Sequence, residues 1–299
     1  MQNTDNLISV VMCTYNGAKY LKEQIDSILQ QTIADFELVV CDDCSNDGTW
    51  EILQGYAAND DRIRICQNEQ NLGFLKNYEK ALGLASGEYI ALSDQDDIWK
   101  PNHLEVLMNL LGERAIASGN SLLVDEDGNS LGMTLKEQED LTVVSETPLD
   151  LALTIMVYRN PFQGAAMLFR RSFLEKALPI PEGVKYHDSW FAALACFMEG
   201  ISYTDEVILY YRMHGENLSG LHPQKSRGSI LNKRYKGEYI VDRPIMLEAI
   251  VNRKVVDSIS KKRIAAWLKR YFNLNRDTQV GRMVNRVFFH RYRKAICSL

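Results

Sequence analysis

Over the first hundred residues, apolar runs rich in β-branched residues alternate with apolar stripes at helical spacing. Leu7–Cys13 has the pattern of a buried strand and stops at the turn signal Thr14-Tyr15-Asn16-Gly17. Tyr20–Gln30 then sets Leu21, Ile25, Ile28 and Leu29 on one helical face. Phe36–Cys41 predicts a second strand, Thr49–Ala58 a helix, Ile63–Cys66 a third strand and Phe74–Ala85 a helix. Tyr89–Ser93 predicts a fourth strand, and Pro101 suits the first turn of the helix after it.

Four strand–helix alternations predict an α/β fold, with a Rossmann-like, mostly parallel central sheet, helices on both faces and right-handed crossovers. Ligands of such sheets bind outside the carboxyl ends of the strands. The polar clusters 14–17, 42–49 and 94–97 each follow a strand, so sequence order alone puts them on one rim. Beyond them, Ser118–Gly132 carries the hairpin signal Asp127-Gly128, and Leu149–Val157 has a helical pattern. Gln163–Phe169 predicts a strand, Asp188–Glu199 a helix, and Ile201–Thr204 and Val207–Tyr211 short strands. Ser260–Leu274 and Val280–Ile296 mix basic and aromatic residues at helical spacing.

Charge sharpens this division. Residues 1–221 hold 15 Lys/Arg against 34 Asp/Glu, whereas residues 222–299 hold 19 against 5. With Ser219-Gly220, the shift predicts a main domain of residues 1–220 and a basic helical tail of residues 221–299. The tail either lies on an anionic membrane surface or makes an oligomer contact, or it packs on the acidic body and neutralises it. Hydrophobic content of 46% and charged content of 24% fit a soluble globular chain. Neither a signal peptide nor an apolar stretch of about 18 residues is visible, so the expectation is a cytoplasmic protein, peripheral at the inner face of the cytoplasmic membrane. Six scattered cysteines suit a reducing compartment; Cys41 and Cys44 form one CxxC, which reads either as a redox pair or as two incidental loop cysteines.

Two clusters carry candidate chemistry. Asp94-Gln95-Asp96-Asp97 puts three carboxylates in four residues, which repel one another unless a cation or solvent screens them. Asp94 and Asp96 can approach one metal–diphosphate unit from a single turn, or the loop is simply solvated. Asp42-Asp43 follow directly on a strand, where an Asp can accept from the imide N–H of uracil or thymine. One of Ser45 or Asp47 is expected to cap the next helix, which leaves two consecutive acids at the strand tip unexplained.

The ordered set Val10-Val11-Met12-Cys13-Thr14-Tyr15-Asn16, Gln31-Thr32, Asp42–Thr49, Asn71-Leu72-Gly73 and Ser93–Pro101 resembles family 2 of the inverting glycosyltransferases, which have the GT-A fold. The likeness covers roughly residues 6–215. The string Ser93-Asp94-Gln95-Asp96-Asp97-Ile98-Trp99 resembles bacterial rhamnosyltransferases that build cell-surface polysaccharides. The resemblance implies that Thr14, Tyr15 and Asp43 line a nucleoside pocket, with Asp42 beside it. It makes Asp94 and Asp96 the Asp-x-Asp motif, with Asp96 a direct ligand of Mg²⁺ or Mn²⁺, and gives His214 a contact to metal or diphosphate. Asp188 matches the catalytic base, Gln163-Gly164 a segment near donor sugar and acceptor, and Arg212 a diphosphate contact. His187 and Trp190 flank the base on the acceptor side. Cys13 departs from a common Pro, and His187 from a common Glu, the latter in the rhamnosyltransferase-like manner.

Blander roles stand beside these: Asp188 as a helix cap, His214 as a loop histidine, Trp99 and Trp190 as packing residues. The implied reaction is a single displacement that inverts the anomeric carbon. It moves L-rhamnose from dTDP-rhamnose to a saccharide acceptor, lipid-linked in the simplest case. A UDP-hexose or UDP-N-acetylhexosamine is the alternative donor, and a non-catalytic nucleotide-sugar-binding relative the alternative class. A dehydrogenase is unsupported because the first strand–helix turn lacks Gly-x-Gly-x-x-Gly. A nucleic-acid binder would rest on the tail alone.

Overall fold

The β-branched runs and amphipathic stripes fold into the elements that their periods predict. The computed structural model describes residues 7–139, 151–152, 155, 160–215, 217, 243–256 and 262. In order these form β1 (Ile8–Thr14), α1 (Leu21–Leu29), β2 (Phe36–Asp42), α2 (Thr49–Ala57), β3 (Ile63–Gln67), α3 (Phe74–Leu84) and β4 (Tyr89–Ser93). The chain continues through β5 (Ile98–Trp99), α4 (His103–Leu111), β6 (Ile116–Val124), β7 (Ser130–Thr134), α5 (Leu135–Glu139), β8 (Met167–Arg170) and α6 (Arg171–Ala177). The last described elements are α7 (His187–Cys196), β9 (Ile201–Arg212) and α8 (Arg243–Asn252).

The strand order is β3-β2-β1-β4-β8-β6-β9-β5, with β7 on β6. Strands β1 to β4 are parallel, in a register that pairs Thr14 with Asp42, Asp42 with Gln67 and Met12 with Ser93. Their carboxyl ends therefore level off together, which is what gathers the polar clusters. Alternate strand residues face opposite sides. Val10, Met12, Leu38 and Val40 share one core with Leu21, Ile25 and Ile28 of α1, Leu53 of α2 and Leu104 and Leu107 of α4. Each such aliphatic side chain stabilises by about 1.5–3 kcal/mol. Helix α3 packs on β1 and β2, with Tyr78, Ala81 and Leu82 buried.

The structure corrects several local expectations. The segment 163–169 is not all strand: a 3₁₀ turn at Gly164–Ala166 precedes β8. Ile201–Arg212 is one strand: β6 pairs with it on both sides of two register shifts between Ser118 and Ser121. The hairpin extends to Thr134, around a turn in which Asp125 Oδ1 accepts from Asp127 N and Asn129 N. Pro101 lies just ahead of α4, whose N-cap is Asn102. Strand β5, two residues long, pairs antiparallel with β9 through Ile98–Tyr210 and Trp99–Leu209; two residues carry no readable period.

The chain divides into two compact units. The first comprises Met1–Thr142, Pro161–Ile180 and Glu199–Pro223, and contains the whole sheet. The second comprises Val143–Asn160, Pro181–Met198 and Gln224–Leu299, in which α7 packs against α8. Most of the expected helix 149–157, the boundary near 220 and both expected tail helices lie outside the described residues. Among the described residues, no helix is long and apolar enough to cross a membrane.

Candidate functional site

Built from the first unit, the site begins where β1 and β2 end side by side. Thr14 Oγ1 donates to Asp42 Oδ1 at 2.8 Å, and Asp43 N donates to Thr14 O at 2.8 Å. Asp42 is fully buried and also accepts from Ser45 N at 3.0 Å, from the Ser45 hydroxyl and from Gln67 Nε2 at 3.2 Å. Asp43 accepts from Asn68 Nδ2 at 2.7 Å, Leu72 N at 2.8 Å and Gly73 N at 2.9 Å. Both acids therefore build the rim as well as bordering it: Asp43 fixes the segment 68–73. The Tyr15 side chain, 49% exposed, stands open beside them.

The loop after β1 is held from both sides. Asn16 takes the left-handed conformation, and its N–H donates to Ser45 Oγ. Gly17 N donates to Thr49 Oγ1 at 2.8 Å, and Ala18 N to Asp47 Oδ2 at 3.0 Å. The N-cap of α2 is Gly48, while Asp47, one residue earlier, accepts from Thr49 N at 3.1 Å. On the other side lies Gln95, which sequence reading passed over. Its Oε1 accepts from Tyr15 N at 2.9 Å, and its Nε2 donates to Tyr15 O at 3.1 Å. The middle residue of Asp94-Gln95-Asp96 thus ties the acidic loop to the tip of β1.

The acidic loop sits between β4 and β5 and is clamped by the end of β9. Asp97 is fully buried; Arg212 N donates to its Oδ1 at 3.2 Å and Gln163 Nε2 to its Oδ2 at 3.3 Å. Burial first, then the charges of Asp96 and Asp94, push the Asp97 carboxyl well above the usual carboxylate range. Tyr78 is buried beneath, its hydroxyl 2.8 Å from Ser93 O and 3.1 Å from Asp94 Oδ1. Asp96 and Asp94 are half-buried, so their carboxylates keep access to solvent.

Arg212, which the resemblance places at the diphosphate, is engaged by protein groups. It is buried, with its guanidinium over the Tyr20 ring at 4.7 Å. Nε donates to Asp96 O and Nη1 to Glu126 O, both at 2.9 Å, and Nη2 pairs with Glu23. Three protein acceptors engage three guanidinium nitrogens, so the side chain fastens the loop. Two residues on, His214 Nε2 lies 2.8 Å from Asp96 Oδ2. Asn217 orients that histidine by accepting from His214 N at 2.6 Å and donating to Arg212 O at 3.0 Å.

The remaining candidates fall in the second unit. Helix α7 starts at His187 with Tyr186 as N-cap, so Asp188 occupies the first turn and its Oδ1 accepts from Ser189 N. An acid there also satisfies the positive end of the helix. His187 is buried edge-on to Phe191, and burial pushes its imidazole down to about 3, leaving it neutral. Trp190 is fully buried with the Arg253 guanidinium 4.7 Å from its ring. Here Trp190 is a packing residue and presents no open face to an acceptor.

The sequence of residues 9–177 matches the model of the family described as Glycosyl transferase family 2. The chain belongs to that family. A putative teichuronic acid biosynthesis glycosyltransferase of Bacillus subtilis is 36% identical over 54% of this chain, and the match spans 65% of that relative, under two thirds of its length. Among solved structures, Staphylococcus aureus TarS in complex with UDP-GlcNAc superposes with a TM-score of 0.62 at 23% identity, over 90% of this chain and 73% of TarS. The mannosyltransferase PcManGT of Pyrobaculum calidifontis, in complex with GDP-Man and Mn²⁺, gives a TM-score of 0.53 at 17% identity, over 97% of this chain and 86% of its own. The fold is therefore the GT-A fold expected from the sequence, and this glycosyltransferase carries its acidic loop at the carboxyl ends of the parallel strands.

Proposed function

We propose that this glycosyltransferase uses a pyrimidine nucleoside diphosphate sugar and a divalent cation to extend a saccharide of the cell surface. The observation that carries the reading is the facing pair Asp96–His214, 2.8 Å apart at the strand-end rim, with Asp94 on the same loop. Among the described residues, no group of three His, Cys, Asp or Glu is arranged to hold a metal alone. That suits Mg²⁺ or Mn²⁺, which is commonly held by one or two carboxylates together with substrate phosphates. Asp96 and His214 would hold the ion together with donor phosphates, with the charge of Asp94 on the same loop helping; when bound, it would neutralise charge on the departing diphosphate.

The chain's own groups do the rest. Tyr15 and the segment pinned by Asp43 border the nucleoside. Asp188 takes the proton of an acceptor hydroxyl, whose oxygen attacks the anomeric carbon opposite the diphosphate and inverts it. First choice of donor is dTDP-L-rhamnose, on the likeness of Ser93–Trp99 to rhamnosyltransferases. A UDP-sugar is the second reading, favoured by the UDP-GlcNAc complex of TarS. Cell-surface polysaccharide synthesis follows from the B. subtilis relative's name. In this proposal residues 1–220 bind the donor, and the basic tail keeps the enzyme near anionic lipid and a lipid-linked acceptor.

The test is a donor screen with Mg²⁺ or Mn²⁺ that follows nucleoside diphosphate release, with Asp96→Ala and Asp188→Asn as controls. Metal-dependent release from dTDP-rhamnose, lost in both variants, supports the whole reading. Release from a UDP-sugar alone overturns the first donor, and retention of anomeric configuration in the product overturns the single displacement.

A further inference from the structure

The CxxC of the sequence directs attention to Cys41 and Cys44, but the fold separates them and supplies another partner. Cys44 leaves the strand in a left-handed conformation (φ 64°), is exposed, and its Sγ lies 3.9 Å from Glu69 O. Cys41 stays in β2, where its cross-strand partner in β3 is Cys66. In-register residues of parallel neighbours project to the same face, so the two thiols meet side by side. Adjacent strands run about 4.7–4.9 Å apart, inside the Cα separation of about 4.4–6.8 Å that a disulfide spans. Burial first, and then the charge and hydrogen bond of the adjoining Cys66 thiol, push Cys41 up to about 12.

We propose that Cys41 and Cys66 form a cross-strand dithiol that a peroxide oxidises to a disulfide beneath the strand-end site. Cys41 is buried and Cys66 half-exposed, which sets the order of events. Peroxide oxidises the Cys66 thiolate to a sulfenic acid and releases hydroxide, which takes up a proton to become water. The Cys41 sulfur then attacks the Cys66 sulfur: the S–S bond forms, the S–O bond breaks, and the Cys41 proton leaves with the oxygen as a second water. Two thiols and one peroxide thereby become one disulfide and two waters. The neighbouring Lys80 charge partly offsets the rise at Cys41. The link lies one residue below Asp42 and one below Gln67, which donates to Asp42.

The test uses the full chain, reduced and then exposed to hydrogen peroxide, with intact-mass measurement and non-reducing peptide mapping. The expected result is a loss of about 2 Da that dithiothreitol reverses, mapped to a peptide pair joining Cys41 and Cys66. Cys66→Ser abolishes that loss and Cys44→Ser preserves it. A link between Cys41 and Cys44 or any other pair, loss of mass in Cys66→Ser, or gain of oxygen on Cys66 without a cross-link would overturn the proposal.

Discussion

Gly17→Ala places a methyl group 2.3 Å from Gln95 Oε1 and 2.5 Å from Gln95 Cδ, closer than carbon atoms tolerate. The amide of Gln95 is the end of a flexible side chain, so it swings away, and with it go the two hydrogen bonds to the Tyr15 backbone. Each bond contributes about 0.5–1.5 kcal/mol net, and these are exposed, so the pair amounts to about 1–2 kcal/mol. Gln95→Ala loses the same two bonds without a clash. The double variant therefore costs no more than Gln95→Ala alone, and the coupling energy of the cycle is about 1–2 kcal/mol. Urea unfolding of the four proteins, compared at equal slope, measures that coupling. Additive losses would refute the clamp, because they would mean that Gly17 and Gln95 act on separate parts of the structure.

Other expectations follow from the same geometry. Arg212→Met strips three protein acceptors of their donor, with Glu23 partly rescued by solvent; unfolding should show a loss of about 2–3 kcal/mol, and a loss below about 0.5 would contradict the clamp role. His103, pushed down to about 3 by burial, and His187, likewise about 3, are neutral when folded and protonate when unfolded. Their folded values lie below the unfolded one, so stability is full above pH 6.5 and falls as pH drops toward 3, by about 1.4 kcal/mol per pH unit for each histidine. His103→Gln should flatten that limb by one proton's worth in a pH series of unfolding free energies, and an unchanged slope would contradict its burial as the cause. Asp188→Asn should lower kcat by about 10²–10⁴ while leaving donor affinity within error; a rise in donor Kd without a fall in kcat would remove the base from the proposal.

Long-period features were legible from the chain and short-range contacts were not. The four N-terminal strands and their helices announce themselves because each apolar run spans several residues, and their shared register then brings Thr14, Asp42 and Ser93 to one rim. Strand β5 was invisible, yet with Arg212 it holds the acidic loop beside β9, where Asp96 and His214 meet. Gln95 and Asn217 left no mark because a polar residue in a polar loop looks solvated until its backbone partners are known. The resemblance placed Arg212 at the diphosphate, and its engagement with Glu23 and two carbonyl oxygens was not legible because no sequence pattern announces those partners. Trp190, read from the sequence either beside the acceptor or as a packing residue, is fully buried in helix α7 with the Arg253 guanidinium against its ring.

Calorimetry of dTDP-rhamnose and of UDP-GlcNAc against the full chain, with Mn²⁺ and then with chelator, tests the central claim most directly when repeated on Asp96→Ala and His214→Ala. The account predicts saturable binding of at least one donor that requires the ion, and a loss of about tenfold or more in each variant. Binding of equal strength with chelator, or variants as tight as the parent, would contradict a donor site built on Asp96 and His214.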